Sequence, residues 1–167
     1  MSVASRGVGA AQRHAAWTLL RTPMRADDLD RVMAIEHAVY PFPWTRGNFA
    51  DSIAAGHDAW LFLRDEELVG YAVLMWLPDE IHLLNITVAE NCQGQGLGRA
   101  ALRELCRDAG ARGANSMLLE VRPSNDRARA LYASEGFEPI GFRKRYYPAA
   151  SGSREDALVL RKVFQGE

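Results

Sequence analysis

The stretch from Glu90 to Cys106, ENCQGQGLGRAALRELC, constrains the fold of this chain more than any other. Glycines occupy positions 94, 96 and 98, and apolar residues then recur at helical spacing from Ala101 to Ala109. The apolar run EIHLLNITVAE just before it predicts a strand. A glycine-rich turn between a strand and a helix lets several backbone N–H groups and the positive helix end face one anion. The stretch therefore predicts a phosphate-binding loop, with a purely structural turn as the alternative.

The spacing of the glycines argues against two common kinds of phosphate loop. A Walker loop ends in Gly-Lys-Ser or Gly-Lys-Thr, but Arg99 and Ala100 follow Gly98 here. A Rossmann fingerprint needs glycine or alanine three residues after Gly96, where Arg99 stands, and it follows the first strand of a parallel sheet. The rest of the chain must therefore indicate which phosphate compound is bound.

Outside this loop, the apolar patterns predict a mixture of helices and strands. Before the loop we expect a strand at WTLLR, a helix at ADDLDRVMAIEHAVY, a second helix capped by Thr45, and then three strands in an antiparallel meander. After it we expect the strand SMLLEV, a helix capped by Ser124 or Asn125, and two closing strands. The order predicts one strand-glycine-helix-strand crossover in an otherwise antiparallel sheet.

Composition limits the domain count and the partners. The 167 residues suit a single domain, which we expect over residues 17–167, and 20 Lys and Arg against 21 Asp and Glu leave no broad basic surface for nucleic acid. No apolar run approaches the length of a membrane span. Residues 1–16 lack the apolar middle of a signal peptide, so we expect a disordered tail, with a transit peptide as the alternative.

Cysteine and histidine spacing indicates neither disulfides nor a metal. Cys92 and Cys106 form no CxxC pair, which favours reduced thiols and a cytoplasmic protein. His37, His57 and His82 share no ligand spacing, so we predict no metal site.

The motif Gln93-x-x-Gly96-x-Gly98 resembles the pyrophosphate-binding motif of the GNAT acetyltransferases. NITV, LLEVRPSN and ALYASEGF follow the order and spacing of that superfamily, while YPFPWT and RKRYYP with REDALVL resemble its RimI type. The resemblance covers about Thr18 to Val163. It implies an α+β fold: a single GNAT-type domain with a mostly antiparallel central sheet and one strand-loop-helix-strand crossover that binds acetyl-CoA.

The RimI resemblance implies a protein N-terminal acetyltransferase. Enzymes of this type transfer acetyl directly to the N-terminal alanine of the eighteenth small-subunit ribosomal protein, with no covalent enzyme intermediate. Two alternatives stay open: a GNAT enzyme acting on a lysine side chain or small amine, and a catalytically silent acyl-CoA-binding module. The presence of both Glu120 and Tyr132 argues against the silent module.

The resemblance implies cofactor contacts in three segments. They are the strand residues Ile86, Thr87 and Val88, the loop residues Gln93, Gly94, Gln95, Gly96, Leu97, Gly98 and Arg99, and Asn125. The strand acts through its backbone, and the Val88 N–H polarises the acetyl carbonyl. Asn125 has a helix N-cap as its alternative role. Gly94 departs from the RimI pattern, in which close relatives often carry arginine, so the loop lacks that cation. Because backbone N–H groups do most of the phosphate binding, we expect the departure to affect cofactor affinity more than activity.

Two residues are implied in catalysis. Glu120 is the general base for the substrate ammonium, since an α-amine has a pKa of about 8 and attacks only when neutral. Its alternative is an ion pair with Arg122, Arg127 or another basic residue. Tyr132 is the acid that protonates the departing coenzyme A thiolate, and its alternative is core packing.

Four aromatic residues are implied at the acceptor peptide. Phe42 and Trp44 come from the first proline-rich loop, and Tyr146 and Tyr147 come from the segment near the C-terminus. Aromatic walls there would enclose a small first side chain and exclude water. For Trp44 a packing role in the core is the alternative.

Overall fold

A computed structural model describes residues 19–166. Its strands are β1 Leu20–Pro23, β2 Asp58–Arg64, β3 Glu67–Trp76, β4 Glu80–Val88, β5 Ser116–Val121, β6 Glu138–Pro148 and β7 Arg154–Val163. Its α-helices are α1 Leu29–Val39, α2 Arg46–Ala54, α3 Leu97–Ala111 and α4 Asp126–Ser134. Short 3-10 turns lie at Ala26–Asp28, Glu90–Cys92 and Ala150–Gly152.

The strands form one seven-stranded sheet in the order β1-β2-β3-β4-β5-β7-β6. β1 to β4 are an antiparallel meander, and β7 pairs antiparallel with both β5 and β6. β4 and β5 are parallel, and α3 connects them across the sheet. The predicted α+β fold with one crossover is confirmed.

Local sequence signals determine several helix ends. The Thr45 hydroxyl accepts from the Asn48 N–H at 3.1 Å, and the Asn48 side chain accepts from the Thr45 N–H at 2.9 Å, which begins α2. Asn125 caps α4 by accepting from the Ala128 N–H at 3.2 Å. These caps follow the predictions. The first strand differs, because it begins at Leu20, and Trp17 and Thr18 lie outside the described residues.

Helices cover both faces of the sheet, because successive strand residues point to opposite sides. α3 packs Leu102 and Leu105 on one face, against Met117 and Leu119 of β5. On the other face a second cluster includes Leu29 and Val32 of α1, Phe49 of α2 and Tyr71 of β3. Two apolar layers thus hold β4 and β5 at the centre of the molecule.

None of the helices within residues 19–166 is long and apolar enough to cross a membrane. The predicted disordered tail, residues 1–16, lies outside the described residues.

Candidate active site

β4 and β5 part at their C-terminal ends. Their parallel pairing runs from Glu80 opposite Ser116 to Leu83 opposite Leu119, and β4 then continues to Val88 without a partner in β5. The β3 register passes from Leu83 to Asn85 of β4, so Leu84 is a bulge at the point of separation. A bulge bends its strand, and the bend opens a gap in the middle of the sheet. The predicted cofactor strand, residues 86–88, borders this gap.

The segment from Gln93 to Arg99, which we call the glycine loop, follows β4 after the short turn Glu90–Cys92. Gly94 and Gly96 have φ values of 78° and 81°, a left-handed conformation that glycine adopts without steric cost. Gly96 is the N-cap of α3, and within the described residues no side chain caps this helix start. The first N–H groups of an α-helix have no partner inside the helix. The loop therefore presents free donors at the positive end of α3, beside the gap.

The side chains of the loop have separate roles. Gln93 donates its side-chain amide to the Val88 carbonyl at 3.1 Å, which ties the loop to the end of β4. Leu97 is buried in the core. The Arg99 guanidinium turns to Glu135 and Ser134 on the far end of α4. Leu97 therefore offers a ligand only its backbone N–H, and the Arg99 guanidinium is held at Glu135.

Glu120 lies on β5 at the gap, and its side chain is 7% exposed. One oxygen is 2.5 Å from His82 Nε2, and the other accepts from Arg143 Nε at 3.0 Å. Burial acts to raise the pKa of Glu120, but the hydrogen bonds and charges of His82 and Arg143 outweigh it and lower that pKa. Glu120 is thus an ionised carboxylate at neutral pH.

The partners of Glu120 differ from the two named in the sequence analysis. Arg122 pairs with Glu155 at 3.5 Å, and Arg127 donates to Gln93 at 3.2 Å. Sequence reasoning missed His82 and Arg143 because they come from β4 and β6. Only the β4–β5 register, in which His82 lies opposite Leu118, brings the imidazole diagonally next to Glu120.

Tyr132 combines a buried ring with an available hydroxyl. Its ring packs against Phe137 of the same turn region, with ring centroids 5.7 Å apart. No side chain among the described residues hydrogen-bonds its hydroxyl. Burial raises the pKa of Tyr132 well above the ordinary phenol value, and Tyr40 and Tyr147 add to the rise. The phenol therefore keeps its proton at neutral pH.

Aromatic side chains from two distant segments converge on Arg122. The Arg122 guanidinium lies over the Tyr147 ring at 4.5 Å and over the Phe42 ring at 5.5 Å, while Tyr146 packs edge-on against Tyr147. We call Phe42, Arg122 and Tyr147 the aromatic wall. It borders a cleft of about 290 Å³ lined by Pro41, Phe42, Arg122, Ser124, Ala149, Ala150 and Glu155.

Trp44 lies apart from the aromatic wall. Its ring packs against Phe49 of the second core cluster with centroids 5.0 Å apart, and the backbone N–H of Trp44 donates to the buried Glu36 carboxylate at 2.8 Å. Tyr71 also donates to Glu36. These contacts favour the packing role for Trp44 and anchor the proline-rich loop to the sheet.

Tyr40 links α1 to the predicted cofactor strand. Its hydroxyl is 2.8 Å from the Thr87 hydroxyl, which in turn donates to the Asn85 side chain at 2.8 Å. Burial raises the pKa of Tyr40 to about 12. The Thr87 side chain is thus held within the protein, and this segment faces the gap chiefly through its backbone.

Across residues 19–166, no three His, Cys, Asp or Glu side chains lie close enough together to bind a metal ion.

Known proteins resemble this chain in sequence and in fold. The sequence profile of the acetyltransferase (GNAT) family matches residues 29–137. Two curated relatives are named [ribosomal protein bS18]-alanine N-acetyltransferase: that of Haemophilus ducreyi is 35% identical over 80% of this chain and 92% of its own, and that of Escherichia coli K12 is 36% identical over 82% and 92%. The crystal structure of the Escherichia coli ribosomal-protein-S18-alanine N-acetyltransferase has a TM-score of 0.81 at 34% identity, covering 90% of this chain and 97% of that one. The chain is an acetyltransferase and belongs to the acetyltransferase (GNAT) family.

Proposed function

We propose that this chain is an N-terminal acetyltransferase that transfers acetyl from acetyl-CoA to the N-terminal alanine of a small-subunit ribosomal protein. The names of the curated relatives, which match most of both lengths, support this substrate. The observation in this chain that carries the proposal is the cleft beside Arg122, which two distant loops border. A ribosomal-protein substrate also implies that the enzyme works in the cytoplasm.

The chemistry of the cleft favours a peptide over a small amine. A site for a small polyamine needs unpaired carboxylates, but the one acid lining this cleft, Glu155, accepts from Arg122 at 3.5 Å and from the Ser124 hydroxyl at 2.8 Å. The remaining lining is mainly apolar or aromatic. Such a surface suits a small apolar first side chain, with the peptide running out between the two loops.

The gap and the loop fit the thioester cofactor. The free N–H groups at the start of α3 suit a pyrophosphate, and the unpaired edge of β4 at Ile86 to Val88 suits an extended amide-containing arm. Gln93, Gly94, Gln95, Gly96, Leu97, Gly98 and Arg99 would hold the phosphates through their backbone, with Asn125 near the arm. Acetyl-CoA, when bound, supplies the acetyl group as an activated thioester. The roles proposed for these residues require no metal ion.

Two residues move protons in this proposal. The Glu120 carboxylate takes a proton from the substrate ammonium, directly or through water, and its contacts with His82 and Arg143 hold it in one orientation. The Tyr132 hydroxyl, protonated and without a side-chain partner among the described residues, donates its proton to the leaving sulfur. The Val88 N–H polarises the acetyl carbonyl.

The decisive experiment uses one peptide that begins with alanine and carries an internal lysine, incubated with acetyl-CoA and mapped by mass spectrometry. The expected product carries one acetyl group on the N-terminus. A matched peptide with a blocked N-terminus should remain unmodified. Acetylation of lysine alone would replace this proposal with the lysine-acetyltransferase alternative. Tight acetyl-CoA binding without any product would favour the silent module.

A further inference from the structure

The glycine loop carries no cationic side chain that faces the gap. Arg99 is bound to Glu135, and positions 94, 96 and 98 are glycine. Backbone N–H groups supply only partial charges, whereas a pyrophosphate carries full negative charge. A guanidinium from another element is therefore the natural partner to look for at this loop.

Arg127 on α4 occupies the space beside Gly94. A Cβ atom added to Gly94 would lie 3.5 Å from Arg127 Nη2, and Arg127 Nη1 donates to the Gln93 side chain at 3.2 Å. Gln93 is itself bound to the Val88 carbonyl at 3.1 Å. The guanidinium is thus held over the loop, in the region that a side chain at position 94 would share.

The charge of Arg127 is not neutralised within the described part of the chain. The neighbouring Asp126 pairs with Arg129 at 3.4 Å, and the only side chain that Arg127 contacts by a hydrogen bond is the neutral Gln93 amide. Arg127 is also exposed. A free guanidinium next to an uncapped helix start creates a local positive field suited to a polyanion.

Helix packing directs Arg127 toward the gap between β4 and β5. Residues four apart lie on the same helix face, and Leu131, four residues after Arg127, would contact a Cβ at Gly98 at 3.7 Å. The face of α4 that carries Arg127 therefore packs against the first turn of α3. α4 follows β5 in the chain, on the gap side of β4.

We propose that Arg127 binds the pyrophosphate of acetyl-CoA and supplies the cation that the glycine loop itself lacks. This inference rests on the proposed use of acetyl-CoA. It assigns the role to a residue outside the glycine motif.

The test is calorimetry of coenzyme A binding to the intact protein. Arg127→Gln should weaken binding about tenfold, since a charge-assisted hydrogen bond is lost. It should also reduce the salt dependence of Kd, because one charge no longer contributes. Arg127→Lys should recover part of the affinity. Both variants should melt at the wild-type temperature, since Arg127 is exposed and unpaired with any described acid.

Arg64 is a matched control. Like Arg127, Arg64 donates to a glutamine side chain of the glycine loop, in this case Gln95 at 2.5 Å. Arg64 comes from β2, however, which lies on the side of β4 away from the gap. Arg64→Gln should therefore keep Kd within about twofold, well below the tenfold loss of a charged contact. An equal loss in both variants would mean that arginine only shapes the loop, and would overturn the inference.

Dephospho-coenzyme A lacks the 3′-phosphate, so it distinguishes a contact to the pyrophosphate from a contact to the 3′-phosphate. If Arg127 binds the pyrophosphate, Arg127→Gln should raise Kd for dephospho-coenzyme A by the same factor as Kd for coenzyme A. A loss confined to coenzyme A would move the contact to the 3′-phosphate and overturn the assignment. Unchanged affinity of a folded Arg127→Gln variant would overturn this inference alone, whereas a wild-type protein that binds no coenzyme A would overturn the proposed function.

Discussion

At the scale of single residues, the surroundings of Glu120 and Tyr132 drive their proton affinities apart. His82 and Arg143 lower the pKa of Glu120 against the effect of burial, whereas burial raises the pKa of Tyr132. At neutral pH the Glu120 carboxylate is therefore deprotonated and the Tyr132 hydroxyl keeps its proton. Such a separation is typical of an acid and base that act in one reaction.

Glu120→Gln should keep coenzyme A binding but reduce kcat about a hundredfold at neutral pH, because the swap preserves shape and removes the proton acceptor. The deficit should shrink as pH rises through about 8, where the free amine forms without help. Stopped assays of thiol release across this pH range measure it. The control is Glu80→Gln, since Glu80 binds Arg161 and Ser116 where β4 and β5 begin, away from the gap. Normal turnover by Glu120→Gln would assign the carboxylate a structural role.

Tyr132→Phe should also reduce kcat about a hundredfold or more while leaving the melting temperature nearly unchanged. The hydroxyl has no side-chain partner among the described residues, so its removal breaks no internal side-chain bond. Tyr71→Phe provides the contrast, because the Tyr71 hydroxyl donates to the buried Glu36 carboxylate and its loss removes one of the hydrogen bonds that stabilise this buried charge. Thermal melts and rate assays on both variants distinguish the roles. A full-rate Tyr132→Phe enzyme would limit Tyr132 to core packing.

At the scale of secondary structure, a close contact between β3 and β4 shapes the gap. Gly70 of β3 lies opposite Val88, and a Cβ on Gly70 would come within 2.5 Å of the Thr87 carbonyl oxygen. Only glycine allows the strands to approach this closely. The backbone of the predicted cofactor strand therefore depends on a residue outside every recognised motif.

Gly70→Ala should lower the free energy of unfolding by about 1 to 3 kcal/mol, because a backbone atom has to move to admit the methyl group. Coenzyme A binding should weaken too, since Thr87 and Val88 would be displaced. Gly141→Ala on β6 is the control, as nothing lies within 4 Å of its added Cβ. Urea unfolding and calorimetry report both effects. Equal stability of the two variants would show that β3 and β4 move apart to admit the methyl group without a measurable cost in free energy.

Glu135 joins the two helices that flank the gap. Its buried carboxylate accepts from Arg99 and from Arg103, the latter at 2.8 Å, and so links the end of α4 to α3. The hydrogen bond from Arg103 is the main cause that lowers the pKa of Glu135; burial opposes this effect and Arg99 adds to it. A lowered pKa means that the folded state binds the ionised form more favourably than the unfolded state does.

The stabilisation from Glu135 should be complete above the ordinary glutamate pKa of about 4.3 and disappear as pH falls through the lowered folded pKa. Wild type should therefore melt at a higher temperature than Glu135→Gln at neutral pH. The difference should narrow steadily below about pH 4, as calorimetric scans at successive pH values would record. A constant difference down to pH 2 would mean that the carboxylate charge contributes nothing.

At the scale of the whole molecule, the acceptor side is assembled from distant parts of the chain. Phe42 follows α1, Arg122 follows β5, and Tyr147 lies near the end of β6, yet the rings of Phe42 and Tyr147 pack on the same guanidinium. The sheet order β5-β7-β6 brings the last two segments together, and the anchoring of Trp44 to Glu36 brings the first. The aromatic wall thus exists only in the folded chain.

Phe42→Ala should raise KM for an alanine-starting peptide several-fold while leaving KM for acetyl-CoA unchanged, since an apolar contact in a specificity pocket is worth about 1 to 3 kcal/mol. Phe42 is 42% exposed, so folding should be little affected. Ile140→Ala is the control, because Ile140 is similarly exposed near the start of β6. Steady-state kinetics with each substrate varied in turn would measure both constants. A rise in KM for acetyl-CoA alone would assign Phe42 to the cofactor side.

The sequence by itself determined the features whose physics is local. The meander, the crossover, the cap at Thr45, a cap at Ser124 or Asn125, and the glycine turn before α3 all depend on periodicity or on neighbours a few residues away. These predictions agree with the structure, and the resemblance built on them is confirmed as family membership. The catalytic and binding roles of individual residues stay predictions.

Only the tertiary structure decided which side chains meet across the sheet. It paired Glu120 with His82 and Arg143 instead of Arg122 or Arg127, packed the partly buried Trp44 against Phe49, and brought Arg127 to the glycine loop. Charge and aromatic character are visible in the sequence, but partners depend on strand register and helix packing between residues far apart in the chain. A shift of one residue in register reverses the face on which a side chain lies, so local patterns cannot name such partners.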